Sequence, residues 1–399
     1  MVAVCCYFQV HQPFRLRRYS VFDAHPHYFD DERNGQILRS VAHKCYLPAT
    51  QLLLKLIHRH NGSLRVAFSL TGCVIEQFER FAPEVLDRFR QLAETGCCEF
   101  LSETYAHSLA ALYSVEEFRH QVDLHDNLIE DLFGQVPIVF RNTELIYNND
   151  IADLIAGMGR YRAVLVEGVD QVLGSRSPNE VYAPPGRPEL SLLLKNYRLS
   201  DDIAFRFSNH QWDQWPLTAD KFATWVHQAK GSVCNLFMDF ETFGEHQWKD
   251  TGIFEFLETL PAEILKRGHV FKTPSEIVES FAPVDIYDVP SAISWADTER
   301  DVSAWMGNAM QSSALHELYR LEERVKATGD PGLIADWRKL TSSDHFYYMC
   351  TKYFSDGQVH KYFNPYESPY DSYINFMNVL DNLRARVESL SIKRASESE

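Results

Sequence analysis

Seven short apolar runs recur along the first part of the chain, at residues 2–10, 64–70, 97–101, 136–140, 163–166, 190–194 and 233–240, with a short eighth candidate at 269–271. Each is continuous rather than alternating, as a strand covered on both faces requires. Helical spacing fills the gaps, at 46–59, 75–95 (broken at Pro83), 150–157, 218–230 and 254–267. A further helix opens with the capping pattern Ser114-Val-Glu-Glu117 and closes at Gly134. Residues 30–35, 174–187 and 199–203 read as loops, being rich in Gly, Pro, Ser and acids. Strand alternating with helix gives a parallel α/β fold, either a closed barrel or an open doubly wound sheet. The open sheet calls for a Gly-rich phosphate loop after the first strand. This chain has His11-Gln-Pro there instead. The expectation is therefore a closed β/α barrel of about seven strands over residues 1–283.

Beyond residue 284 the pattern becomes helical, at 303–326, 332–349 and 370–389. We expect a helical C-terminal domain over 284–390 and a disordered tail over 391–399. The tyrosines 347, 348, 353 and 362 read as packing between the two parts.

In a barrel, strand ends from distant parts of the chain meet at one mouth, where active sites are built. The residues leaving the strands here are chemically pointed. His11 follows the first, Glu103 and His107 the third, Glu144 the fourth, Asp239 and Glu241 the seventh. Asp239 and Glu241 are two apart, so an extended strand puts both on one face. Acids at the end of a buried strand are costly unless paired, solvated or used. Two carboxylates across a cleft suit glycoside hydrolysis, one protonating the leaving oxygen and the other attacking the sugar carbon or activating water. Repulsion among Glu144, Asp239 and Glu241 would keep one of them protonated near neutral pH. Spacing alone leaves open which acid does which. Asp201 and Asp202 read first as a loop or helix cap.

Composition narrows the partners. A formal net charge of -16 argues against binding nucleic acid or anionic membrane. The 8 cysteines form no CxxC pair and mostly sit in apolar runs, as buried free thiols in a reducing compartment. The first residues lack a basic region and cleavage site, and no segment is long and apolar enough to span a bilayer. A cytoplasmic enzyme of a neutral ligand is the expectation.

His11-Gln-Pro, Glu103-Thr-Tyr-Ala-His-Ser, Phe140-Arg-Asn-Thr-Glu144, Met238-Asp-Phe-Glu-Thr-Phe-Gly and Ala296-Asp-Thr-Glu-Arg-Asp-Val-Ser-Ala-Trp-Met-Gly-Asn308 resemble, in order, the five conserved regions of glycoside hydrolase family 57. Asp344-His-Phe-Tyr-Tyr-Met and His360-Lys-Tyr-Phe are similar to its smaller alpha-amylase-like members. The resemblance implies a seven-stranded incomplete barrel followed by helices, and a retaining mechanism on α-glucans or maltooligosaccharides without a cofactor or obligatory metal. It makes Glu144 the nucleophile and Asp239 the general acid/base. His11, Glu103, His107, Glu241, Asp301 and Trp305 would bind substrate. The activity expected is that of an alpha-amylase, with a 4-alpha-glucanotransferase or glucan branching enzyme as the alternative. Two rival classes are a metal-dependent deacetylase or mannosidase-like enzyme, using His11, His107, Asp239 and His246, and a glucan-binding protein without catalysis.

Overall fold

The structure is a computed structural model that describes residues 1–352 and 363–397, with side chains described as far as Ile392. Tyr353 and residues 360–362, Tyr362 among them, lie outside the described residues.

Among the described residues there are ten strands: β1 (Ala3–Val10), β2 (Val66–Leu70), β3 (Cys98–Phe100), β4 (Val139–Arg141), β5 (Ala163–Glu167), β6 (Val181–Ala183), β7 (Ser191–Lys195), β8 (Val233–Asp239), β9 (Val270–Phe271) and β10 (Asp285–Ile286). One sheet runs β3-β2-β1-β8 and the other β10-β6-β7-β5-β4. Within each, the strands that match the seven apolar runs pair in parallel. The two sheets are pinned into a ring. Ser102 bridges Phe140, with Ser102 N–H donating to Val139 at 3.0 Å and Arg141 N–H to Ser102 at 2.9 Å. On the far side, β7 and β8 are joined by Asn196 N–H to the Asn235 carbonyl and Asn235 Nδ2 to the Leu194 carbonyl, both 2.9 Å. That seam has side-chain and loop hydrogen bonds in place of a ladder, which is the incomplete part of the barrel.

Alternation along each strand sorts the core. Ala3, Cys5 and Tyr7 point into the ring with Ala67, Leu165 and Phe237, forming its filling. Val4, Phe8 and Val10 point outward into a cluster with the helices Leu47–Arg59, Gly72–Phe81 and Pro83–Glu94. The outward residues of β4, β5 and β7 join a third cluster, and it includes Leu315, Leu318, Trp337, Phe376 and Leu383 of the C-terminal helices. The helical part therefore shares a continuous core with the barrel.

Three segments expected as loops are ordered. Residues 31–41 form the helix Asp31–Val41, because Asp30 accepts from Arg33 N–H and the acids after it fall in the first turn. Residues 197–204 form Tyr197–Ala204, capped by Asn196. The segment 174–187 contains β6, antiparallel to β7, and β10 then pairs with β6. The helix Pro274–Ser280 was not anticipated, although Thr273 and Glu276 form its capping box. The last helix is Pro369–Glu397, so the backbone of the expected tail is helical as far as Glu397.

Candidate active site

At the exit of β4 the chain turns sharply through Thr143–Leu145. Glu144 has φ 57° and ψ 24°, a left-handed conformation that costs a residue with a Cβ about 1–3 kcal/mol. Asn142 Nδ2 donating to Ile146 and the Thr104–Thr143 hydroxyl pair hold the turn. Its carboxylate is fully engaged. Oε2 accepts the Trp295 indole N–H at 2.6 Å, and Oε1 lies 3.2 Å from His107 Nε2 and 3.3 Å from Ser343 Oγ. His107, itself at φ 52°, faces Glu103 Oε2 at 3.1 Å with its other ring nitrogen. A ring with a carboxylate on each nitrogen donates from both, so it is an imidazolium. Burial works against that charge, but the hydrogen bonds to Glu103 and Glu144 outweigh it and raise His107 to about 9. In turn, burial would raise Glu144, and is outweighed by His107, Arg141 and Trp295, which hold it below the usual carboxylate range.

Asp239 ends β8, opposite Gln9 of β1. The chain then tightens into the turn Phe240–Thr242, so the strand alternation expected to align Asp239 with Glu241 stops at Asp239. Glu241 is instead gripped from the side. Tyr46 donates its hydroxyl to Oε1, and Gln12 Nε2 lies at 3.4 Å. Tyr46 sits in a π-turn, Ala42–Tyr46, a distortion that recurs at functional sites. Burial raises both acids. The charge of Glu144 adds to the rise in Asp239, and that of Asp239 to the rise in Glu241.

Glu144, Asp239 and Glu241 open into one cavity of about 960 Å³, together with His11, His107 and Trp305. His11 stacks on His107 at 4.1 Å between ring centroids and is held by Thr71 at 2.9 Å and Asp344 at 2.8 Å. Trp305 is 1% exposed, a wall with Tyr347 packed at 6.2 Å. Tyr347 and Tyr348 also line the cavity, beyond the packing expected of them.

Two expected substrate residues are placed elsewhere. Glu103 is fully buried behind His107, accepting from Gln9 Nε2 at 3.0 Å, because the chain turns there before its carboxylate reaches the mouth. Burial would raise it, and His107 and Arg141 bring it down to about 2. Asp301 turns away from the cavity to accept from the Ser303 backbone N–H at 2.8 Å at the start of the helix Ser303–Met306. Asp201 moves the other way. It lines the cavity in a buried cluster in which Lys195 lies 3.1 Å from Asp201, and Arg300 spans Glu167 at 2.8 Å and Asp201 at 3.2 Å.

Trp295, Lys195, Tyr46, Ser343 and Asp344 were not singled out as site residues by sequence. Trp295 stands one place before the fifth motif and Asp344 opens a motif read as family likeness. Tyr46 carries no local signal, while Lys195 directly follows the apolar run 190–194. Among the described residues, no group of three or more His, Cys, Asp or Glu is arranged to hold a metal ion. What the site can do is acid–base and nucleophilic chemistry, with Glu144 held toward its charged form and Asp239 and Glu241 pushed toward their neutral forms across one cavity.

The family model described as Glycosyl hydrolase family 57 matches residues 5–290. A candidate alpha-amylase of Methanocaldococcus jannaschii is 42% identical over 401 residues, covering 97% of this chain and 85% of that protein. A branching enzyme from Pyrococcus horikoshii superposes with a TM-score of 0.67 at 15% identity, over 96% of this chain and 88% of that one. The 4-alpha-glucanotransferase of Thermococcus litoralis gives 0.63 at 16% identity. This chain covers 56% of that enzyme's length. At such identities the two structural likenesses speak to the fold, which is the incomplete (β/α)7 barrel with a helical C-terminal part. No helix among the described residues is long and apolar enough to cross a membrane.

Proposed function

This chain belongs to glycosyl hydrolase family 57, and from that premise we propose that it hydrolyses α-1,4-glucans with retention of configuration, through a covalent glycosyl-enzyme. Glu144 attacks the anomeric carbon while Asp239 protonates the departing glycosidic oxygen. Asp239, now a carboxylate, takes a proton from water, whose oxygen attacks the same carbon and frees Glu144. The observation that carries this reading is the opposed ionisation of the two acids on one cavity, Glu144 held down by His107, Arg141 and Trp295 and Asp239 held up by burial and by Glu144 itself. The naming of the Methanocaldococcus jannaschii relative supports the amylase form.

Transfer to a sugar hydroxyl is the second reading. It is favoured by the likeness to the branching enzyme and the glucanotransferase, and it shares every step up to the covalent intermediate. Incubation with a single maltooligosaccharide separates the two. Hydrolysis yields only shorter products, and products longer than the input would overturn it in favour of transfer. In either case Glu144→Gln is expected to lower turnover by about three orders of magnitude or more, because the nucleophile is gone. A variant retaining wild-type turnover would remove Glu144 from its role.

A further inference from the structure

We propose that Trp295 and Arg141 clamp Glu144 so that it leaves rapidly from the glycosyl-enzyme, an inference that rests on Glu144 being the nucleophile. Trp295 is tied to Glu144 twice, by its indole N–H to Oε2 at 2.6 Å and by its backbone N–H to the Glu144 carbonyl at 3.2 Å. From behind, Arg300 Nη1 donates to the Trp295 carbonyl at 3.0 Å, so the indole is held in place. Two cations lie over its ring. The Arg141 guanidinium carbon is 4.8 Å from the centroid and Lys195 Nζ is 5.3 Å away. Cations on an aromatic face are attracted by its electrons and draw density from the ring, which strengthens the N–H as a donor.

Arg141 is the less ordinary of the two. It is fully buried, and none of its three side-chain nitrogens has a hydrogen-bond partner among the described residues. Glu103 Oε2 lies 4.0 Å from Nη1. A guanidinium desolvated without hydrogen bonds is costly. Structural packing alone would be served better by an apolar side chain. Its charge instead acts on the acids around it, lowering Glu103, Glu144 and Asp239.

The clamp acts unequally on the two halves of the reaction. In the first, the bond from Glu144 to the anomeric carbon forms, the glycosidic bond breaks toward the proton of Asp239, and the Glu144 charge disappears into an ester. In the second, water bonds to that carbon, its proton goes to Asp239, and the electron pair of the breaking ester bond returns to Glu144. Donors and cations aimed at that carboxylate stabilise the charge as it reappears. They speed release and hold back attack.

Trp295→Phe keeps most of the ring and removes the N–H. With an α-maltosyl fluoride, whose leaving group departs without an acid, release limits turnover. The expected result is a fall in kcat of about ten- to a hundredfold, an unchanged or raised kcat/KM, and a covalent adduct seen as added mass in quenched samples. The groups facing Glu144 are His107, Arg141, Asp239, Trp295 and Ser343. Removing a donor raises its pKa, so the acid limb of kcat/KM moves to higher pH. Arg141→Met tests the same clamp from β4 and carries the same expectation should Trp295→Phe not fold. Wild-type kcat, no adduct and an unmoved acid limb in a folded variant would overturn the clamp. An active Glu144→Gln overturns the nucleophile instead, and an inactive Glu144→Gln beside a wild-type-like Trp295→Phe overturns the clamp alone.

Discussion

At the scale of single residues, the site is governed by which charges are locked and which are free to change. His107 is the lock. It is almost wholly buried between Glu103 and Glu144 and titrates near 9 instead of its ordinary 6.5. The depressed Glu103 is the other half of the same ion pair. A histidine raised by its partners stabilises the fold fully below its unfolded value, and that stability is lost as pH rises through its folded value. The stability at stake is on the order of 3 kcal/mol. His107→Gln should be less stable than wild type by about that much at pH 6, with the gap closing toward pH 10. Urea denaturation across that range measures it, and a gap that stays constant with pH would dismiss the imidazolium. How these residues read in the sequence follows from the same logic. Glu144, Asp239 and His11 were legible because strand exits in a barrel face one place. Glu103 lies behind His107 because an acid three residues beyond a strand can fold behind its neighbour as readily as in front of it. Tyr46 was invisible, since it comes from a turn that no strand exit places at the mouth, whereas Lys195 ends β7 and so leaves a strand as the acids do.

At the scale of elements, the exit of β8 is built by contact with a distant turn. The π-turn Ala42–Tyr46 lies against Phe240–Thr242. Cys45 Sγ donates to the Phe240 carbonyl at 3.2 Å, Tyr46 grips Glu241, and Lys44 pairs with Glu245 at 3.3 Å. Gly244 permits the approach. Its φ is 114°, and a Cβ there would run into the backbone carbonyl oxygen of Lys44. Both the left-handed conformation and the backbone clash penalise a side chain, so Gly244→Ala should cost about 2–4 kcal/mol. It should also lower activity by shifting Tyr46 off Glu241. A variant within about 0.5 kcal/mol of wild type by urea denaturation would show that the two segments are not packed as described. The strands themselves were plain in the sequence, because burial on both faces forces long apolar runs. The helices at Asp31–Val41 and Tyr197–Ala204 were hidden by acids that resemble loop composition and in fact serve the first turn or the site. β6 was hidden by its Pro, Gly and Ser neighbours, and it exists because the edge of β7 at the incomplete seam is left to be covered.

At the scale of the whole molecule, the helical part completes both the core and the site. Its helices Ala309–Arg320, Pro331–Leu340 and Pro369–Glu397 bury Leu315, Trp337 and Leu383 in the cluster that covers the outer faces of β4, β5 and β7. Chain beyond residue 283 also lines the cavity with Trp305, Tyr347 and Tyr348, and supplies partners to its residues: Trp295 and Ser343 on Glu144, Asp344 on His11, and Arg300 on Glu167 and Asp201. A chain ending at Pro283 would therefore lose its nucleophile's indole and hydroxyl partners and uncover a broad apolar face. Fully burying each large side chain is worth about 1.5–3 kcal/mol, and a folded domain holds only about 5–15 kcal/mol in total. Uncovering a handful of such residues exhausts that margin. The shortened chain is expected to aggregate or to unfold without a cooperative transition, and to show no turnover on maltooligosaccharides. A monomeric 1–283 chain with a sharp thermal transition would show that the barrel closes its own core. Turnover by that chain would show in addition that Trp295, Ser343, Asp344 and Arg300 are dispensable to the chemistry, which the distances to Glu144 and His11 argue against.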